Sequence, residues 1–180
     1  MSKVIFTYED LKTLPENGKQ YQIVEGDLIV SPSPKTLHQF IIVNLTRILS
    51  SFVKKHGLGK IICAPMDVVL SPENVFQPDV LFISNENKNI ITETNIQGAP
   101  DLVVEVLSEG TKEMDLTIKK KIYARFSVKR YWLIDPETKT MESLLLYDEG
   151  YMEEAHYEKN EIFSSPLFPG LSFPLNELFD

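Results

Sequence analysis

One cysteine, Cys63, and three histidines are all the soft metal ligands that the 180-residue chain offers besides its methionines. A lone thiol forms no internal disulfide, and zinc sites of the usual kind need more Cys and His than this. Cys63 is expected as a small core residue. Long hydrophobic runs are also missing: no uninterrupted apolar stretch of eighteen occurs, so no membrane span is expected. The opening MSKVIFTYED lacks a charged-then-apolar leader, which reads as a cytoplasmic protein without an export signal. No Gly/Ser linker, repeat or low-complexity tract divides the chain, so a single domain over residues 1–180 is expected. Basic residues are in deficit, 18 against 26 acidic, for a formal charge of −8. That balance argues against broad, sequence-blind nucleic-acid binding, which favours a basic surface.

The deficit is uneven. Residues 1–108 carry a net −3, residues 109–130 a net +4, and residues 135–180 a net −9. The basic stretch holds Lys112, Lys119, Lys120, Lys121, Arg125, Lys129 and Arg130. It is either a solvated helix face or the place where a polyanion is met.

What is present is a patterned α/β sequence. Residues 7–15 suggest a short helix, with Thr7 as N-cap and Asp10 three residues on. QYQIVEGDLIVS reads as a hairpin in which the glycine of Glu25-Gly26-Asp27 supplies positive φ. From Thr36 to about Lys55, apolar residues at Leu37, Phe40, Ile41, Leu45, Ile48, Leu49 and Phe52 have helical spacing, and Gly57 and Gly59 end the run. KIICAPMDVVL, PDVLFIS and PDLVVEVLS read as three strands covered on both faces. A second helix is expected over residues 112–127. KRYWLIDP returns as a strand, and MESLLLYDEG with GYMEEAHYE forms a late hairpin. The Pro-broken apolar tail is expected to pack over the sheet as an extended flap. The fold class is α/β, a central mixed β-sheet flanked by helices.

Chemistry enters where acids interrupt hydrophobic strands. A carboxylate among Val, Leu and Ile is costly unless paired, protonated or bound to a metal. Asp79 follows Pro78 at the start of one strand, and Glu105 lies between Val104 and Val106 in another. Strand alternation puts Asp101 and Glu105 on one face but roughly 13 Å apart, too far to share one ion. Asp79 is therefore the natural partner for Glu105. In the following helix Asp115, Lys119, Ile122 and Tyr123 fall on one stripe, while Lys120 and Lys121 point elsewhere. Two carboxylates and a lysine form a minimal site for Mg²⁺ or Mn²⁺, hard cations that take oxygen ligands. The metal would polarise a phosphate oxygen and acidify a water, with the lysine steadying the hydroxide.

Glu25-Gly26 in a hairpin, Ser31-Pro32 followed by His38, QPDVLFI, PDLVVEVLS, the Asp115-to-Tyr123 helix and RYWLIDP occur in that order. The series resembles the Uma-type family of restriction endonucleases, within the PD-(D/E)XK nuclease superfamily, over roughly residues 5–175. The resemblance implies a restriction endonuclease-like core and a metal-dependent DNA endonuclease with its metal at Asp79 and Glu105. The superfamily pattern puts a lysine two residues after the glutamate, where this chain has Leu107. The resemblance implies that Lys119 takes its place. It also gives Glu25 an early acidic position, as a further ligand or a contact to a metal-bound water.

The remaining candidates divide by setting. His38, beside the apolar stripe, and Tyr123 are possible accessory residues. Asp101 is read as structural, Trp132 as a core aromatic, His56 as a helix C-terminal residue, and His156 as unpartnered. Two alternatives stand beside the DNA endonuclease. One is a catalytically silent nuclease-like fold serving as a binding or assembly module, which the −8 charge favours. The other is a metal hydrolase with a different substrate, disfavoured by the absent His cluster. If DNA enters the Asp79–Glu105 cleft, the cations of 109–130 should rim it. The close acids should raise one carboxyl pKa. The apolar tail and the need to cut two strands suggest a homodimer.

Overall fold

In the computed structural model, which describes residues 4–15 and 19–180, the first hairpin turns on two left-handed residues. Strands β1 (Gln20–Val24) and β2 (Asp27–Ser31) are joined by Glu25 at φ 50° and Gly26 at φ 79°. Both positive values match the twist of a tight antiparallel pair. Ahead of it, α1 (Tyr8–Leu11) is one turn long, shorter than the expected 7–15. The Asp10 carboxylate accepts the Thr7 N–H and hydroxyl, each at 2.8 Å.

Helix α2 (Thr36–His56) buries His38, Ile41, Leu45, Leu49 and Val53 along one stripe and ends at left-handed Gly57. Phe40, which the spacing put in that stripe, lies on the outer face and is exposed. His56 sits in the last turn with its ring on the Phe52 carbonyl.

The expected strand KIICAPMDVVL is two strands: β3 (Gly59–Cys63) and β4 (Val68–Ser71) belong to different sheets. Pro65 interrupts the run, because proline has no N–H for a ladder and a fixed φ. The following strands are β5 (Asn74–Phe76), β6 (Val80–Ser84), β7 (Ile96–Gln97) and β8 (Leu102–Val106). Helix α3 (Lys112–Met114) runs through a π turn at Asp115–Lys119 into α4 (Lys120–Arg125). The single regular helix expected over 112–127 is thus interrupted, and it stops before Ser127, which turns left-handed at φ 65°. Strands β9 (Arg130–Asp135), β10 (Thr140–Tyr147), β11 (Gly150–Tyr157), β12 (Ile162–Ser164) and β13 (Ser172–Pro174) complete the chain.

One mixed sheet has the order β11-β10-β9-β8-β6-β3, with β8 and β9 parallel and the other neighbours antiparallel. A second, five-stranded sheet has the order β2-β1-β5-β4-β7, and β12 pairs with β13. On one face of β8, Leu102, Val104 and Val106 pack with α2 and the tail; on the other, Val103 and Leu107 meet Ile122 and Tyr123. Trp132 is fully buried on the α2 side.

Two expectations fail on burial. Cys63 is exposed, because β3 is the edge of its sheet. The tail does not leave spare apolar surface: Phe163, Phe168, Leu171, Phe173, Leu175 and Leu178 are all in the core. The surface argument for a homodimer therefore disappears. Among the described residues, no helix is long and apolar enough to cross a membrane.

Candidate active site

Strand register brings the two acids together. Strands β6 and β8 pair antiparallel with Val80 opposite Val104 and Leu81 opposite Val103. One step further along the same register sets Asp79 opposite Glu105. The Val106 N–H donates to Asp79 Oδ2 at 2.7 Å, tying the aspartate to the neighbouring strand. His38 Nε2 lies 3.3 Å from the same oxygen. Burial opposes the charge on His38, but the Asp79 hydrogen bond and negative charge hold its pKa above the ordinary histidine value.

Glu105 is closed in from the helix side. Lys119 Nζ donates to Glu105 Oε1 at 3.0 Å, and the Tyr123 hydroxyl donates to the same oxygen at 3.0 Å. Asp115, one helical turn before Lys119, lies 2.8 Å from its Nζ. Glu105, Asp115 and Lys119 are respectively 4, 1 and 2 % exposed. Burial pushes the Glu105 carboxyl up to about 8; Lys119 pulls it down, while Asp115 and Asp79 push it further up. The rise was expected from close like charges, but loss of solvent is the larger cause. Burial works against the Lys119 charge too, yet Glu105 and Asp115 hold its pKa above the usual lysine range. Tyr123 is raised well above the ordinary tyrosine value by burial and Glu105, so it is a neutral donor. Its ring packs between Phe76 and Tyr131.

Asp79, Glu105, His38 and Lys119 line one cavity of ≈ 190 Å³, together with Gln22 and Gln77. Glu25 is not part of it. It sits in the β1–β2 turn, exposed, with its carboxylate 3.2 Å from Arg125 Nη1. From that hairpin Gln20, Gln22 and Ser31 do line the cavity, and Gln22, buried on β1, donates from Nε2 to Ser31 Oγ at 2.8 Å. Period-two alternation contains that signal, because Gln20 and Gln22 share a face and both line the cavity.

Asp101 is structural. Its Oδ2 accepts the Ser84 N–H at 2.8 Å and its Oδ1 accepts Lys129 Nζ at 2.9 Å. His156, expected without a partner, lies 3.6 Å from Glu158.

The basic segment does not rim the cleft with available charge. Lys112 pairs with Asp135, Arg125 with Glu25, Lys129 with Asp101, Arg130 with Glu154, and Lys119 with its two buried acids. Only Lys120 and Lys121 of the seven have no ion-pair partner among the described residues.

Among the described residues, no three His, Cys, Asp or Glu side chains converge as a metal site. The cavity is lined by two carboxylates, four glutamine amides, three hydroxyls and one imidazole, a set dominated by hard oxygens that suits Mg²⁺ or Mn²⁺ better than zinc.

A family model described as "Putative restriction endonuclease", Uma2, matches residues 8–176. The chain belongs to the Uma2 family. A solved structure from Anabaena variabilis ATCC 29413, titled as a putative nuclease belonging to DUF820, shares the fold at a TM-score of 0.80. It is 20% identical, and 97% of each chain is covered. No curated protein matches the sequence. The Uma2 fold here is α/β, with mixed sheets flanked by helices.

Proposed function

We propose that this Uma2 protein hydrolyses phosphodiester bonds of DNA with a divalent cation, Mg²⁺ or Mn²⁺, held by Asp79 and Glu105. The observation that carries the reading is the juxtaposition of Glu105 and Lys119 at 3.0 Å in the cavity that Asp79 also lines. Membership of a family described as restriction endonucleases supports the same chemistry. When bound, the cation supplies Lewis acidity to a phosphate oxygen and lowers the pKa of a water.

The chain's own residues set the geometry around it. Asp79 Oδ2 is engaged by the Val106 N–H and His38, which fixes the carboxylate and leaves Oδ1 without a hydrogen-bond partner among the described residues. Lys119 keeps its proton, so it acts by charge and by donation and never as a base. It steadies negative charge on the attacking oxygen or the phosphate. Asp115 holds the ammonium in place, and Tyr123 fixes the near oxygen of Glu105.

One observation favours a second reading, a catalytically silent binding module: five of the seven cations of 109–130 are neutralised by acids. Cleavage of supercoiled plasmid and of single-stranded oligonucleotides with Mg²⁺ or Mn²⁺ decides between them. The wild type should cut, and Asp79→Asn and Glu105→Gln should not. A wild type that cuts no DNA with either metal leaves the binding module.

A further inference from the structure

We propose that Gln77 supplies a third oxygen to the cation site, its amide held in one orientation by Asp67. The inference rests on the metal reading above and goes beyond it, because it names a neutral ligand where the acids run out. Asp79 and Glu105 are two carboxylates, and no third His, Cys, Asp or Glu converges with them among the described residues. A hard divalent cation takes about six oxygens, so amides, carbonyls and water must supply the rest.

Gln77 lines the same cavity as both carboxylates. Its Nε2 donates to Asp67 Oδ1 at 2.8 Å. An ionised carboxylate only accepts hydrogen bonds, so a flipped amide would set oxygen against oxygen. Asp67 thus decides which end of the amide faces it, and Oε1 is directed to the other side. That oxygen is buried and has no hydrogen-bond partner. A buried acceptor without a donor costs stability, and one beside a polar cavity is an acceptor kept for what enters there. The backbone is pinned as well. The Gln77 N–H donates to Gln22 Oε1 at 3.4 Å, and Pro78 restricts the link to Asp79.

Charge explains why an amide serves here and a third acid would not. Glu105 and Asp115 already act on the single cation of Lys119, and Asp79 acts on Glu105. Another carboxylate would add repulsion, whereas an amide oxygen adds a hard donor at no charge.

Mn²⁺ titration followed by electron paramagnetic resonance tests this with no nuclease assay. Gln77→Leu should weaken Mn²⁺ binding about ten-fold or more, the loss usual for a ligand or its support. Because the change also removes the hydrogen bond from Nε2 to Asp67, its metal-free melting temperature should fall modestly, and Mn²⁺ affinity is read on the folded protein. Gln77→Asn, which keeps the amide but draws its oxygen back by one methylene, should lose affinity too, and stands in if Gln77→Leu does not fold. Wild-type affinity in the folded Gln77 variants, with Asp79→Asn unable to bind, overturns this proposal and spares the metal reading. A wild type that binds no Mn²⁺ overturns both.

Discussion

Lys119 Nζ sits 3.0 Å from Glu105 Oε1, both side chains almost fully buried, at the end of the only π turn among the described residues. Such turns recur at functional sites because they re-aim one side chain without ending the helix. The ammonium is therefore both a candidate catalytic group and the main counter-charge of a buried acidic cluster.

That double role changes what removal of the lysine should do. From spacing alone, Lys119→Ala is expected to stop cleavage and leave the fold intact. With Asp115 and Glu105 buried around it, the deletion strands the Asp115 charge and leaves Glu105 without its donor, and should destabilise the protein by about 3–5 kcal/mol. Lys120→Ala should cost less than about 0.5 kcal/mol, as for a surface change. Urea unfolding of the two variants gives the comparison, and equal midpoints would contradict the buried cluster.

Glu105 should make the protein less stable as pH rises. Folded, its carboxyl holds a proton up to about 8, against an ordinary 4.5 for the exposed group. Between those values the folded state binds more protons than the unfolded one, so stability falls with increasing pH. One such group contributes a slope of at most about 1.4 kcal/mol per pH unit. Glu105→Gln removes the group and should flatten that part of the profile while abolishing cleavage. Melting curves of both proteins from pH 5 to 8 measure it, and parallel profiles would refute the buried acid.

Asp101 should behave in the opposite sense. Burial works against its charge, but the Ser84 N–H and Lys129 outweigh it and hold the carboxyl below the usual range. Its stabilisation is present above the ordinary aspartate pKa and is lost as pH falls through the lowered one. Asp101→Ala leaves the half-buried Ser84 N–H unpaired and should cost about 1–3 kcal/mol at pH 7, less at pH 3. Cleavage by the folded variant should be unchanged. An acid-independent loss, or none, would contradict this role.

These residues show what a sequence carries and what it does not. The Asp79–Glu105 pairing was legible because an acid inside a Val-rich strand has few explanations and Asp101, on the same face, is too far along the strand to be its partner, whereas the antiparallel register that sets the two opposite each other was not. Lys119 was legible from its i, i+4 relation to Asp115. Glu25 misled because an acid beside a turn glycine looks the same whether its carboxylate faces a cavity or, as here, Arg125 across the surface. Gln22 and Gln77 were passed over because a glutamine at a strand or loop position reads equally well as a surface residue, and nothing in the chain marks its amide as facing a cavity. The break at Pro65 was visible in the chain, but its effect, sending one apolar run into two sheets, depends on contacts distant in sequence.

The pairing of the basic segment leads to a prediction about salt. If the cations of 109–130 met DNA as a row, metal-free binding would weaken steeply with ionic strength, by a log–log slope of about −0.9 for each phosphate neutralised. Five of them already spend their charge on Asp135, Glu105 with Asp115, Glu25, Asp101 and Glu154. Lys120 and Lys121 remain on that segment, and two contacts give a slope of about −2. Fluorescence anisotropy of a labelled duplex, with metal removed and salt varied, should return a slope of that size. Lys120→Gln with Lys121→Gln should bring it close to zero. A slope near −6 that survives the double change would place the DNA-binding surface on other residues of the protein.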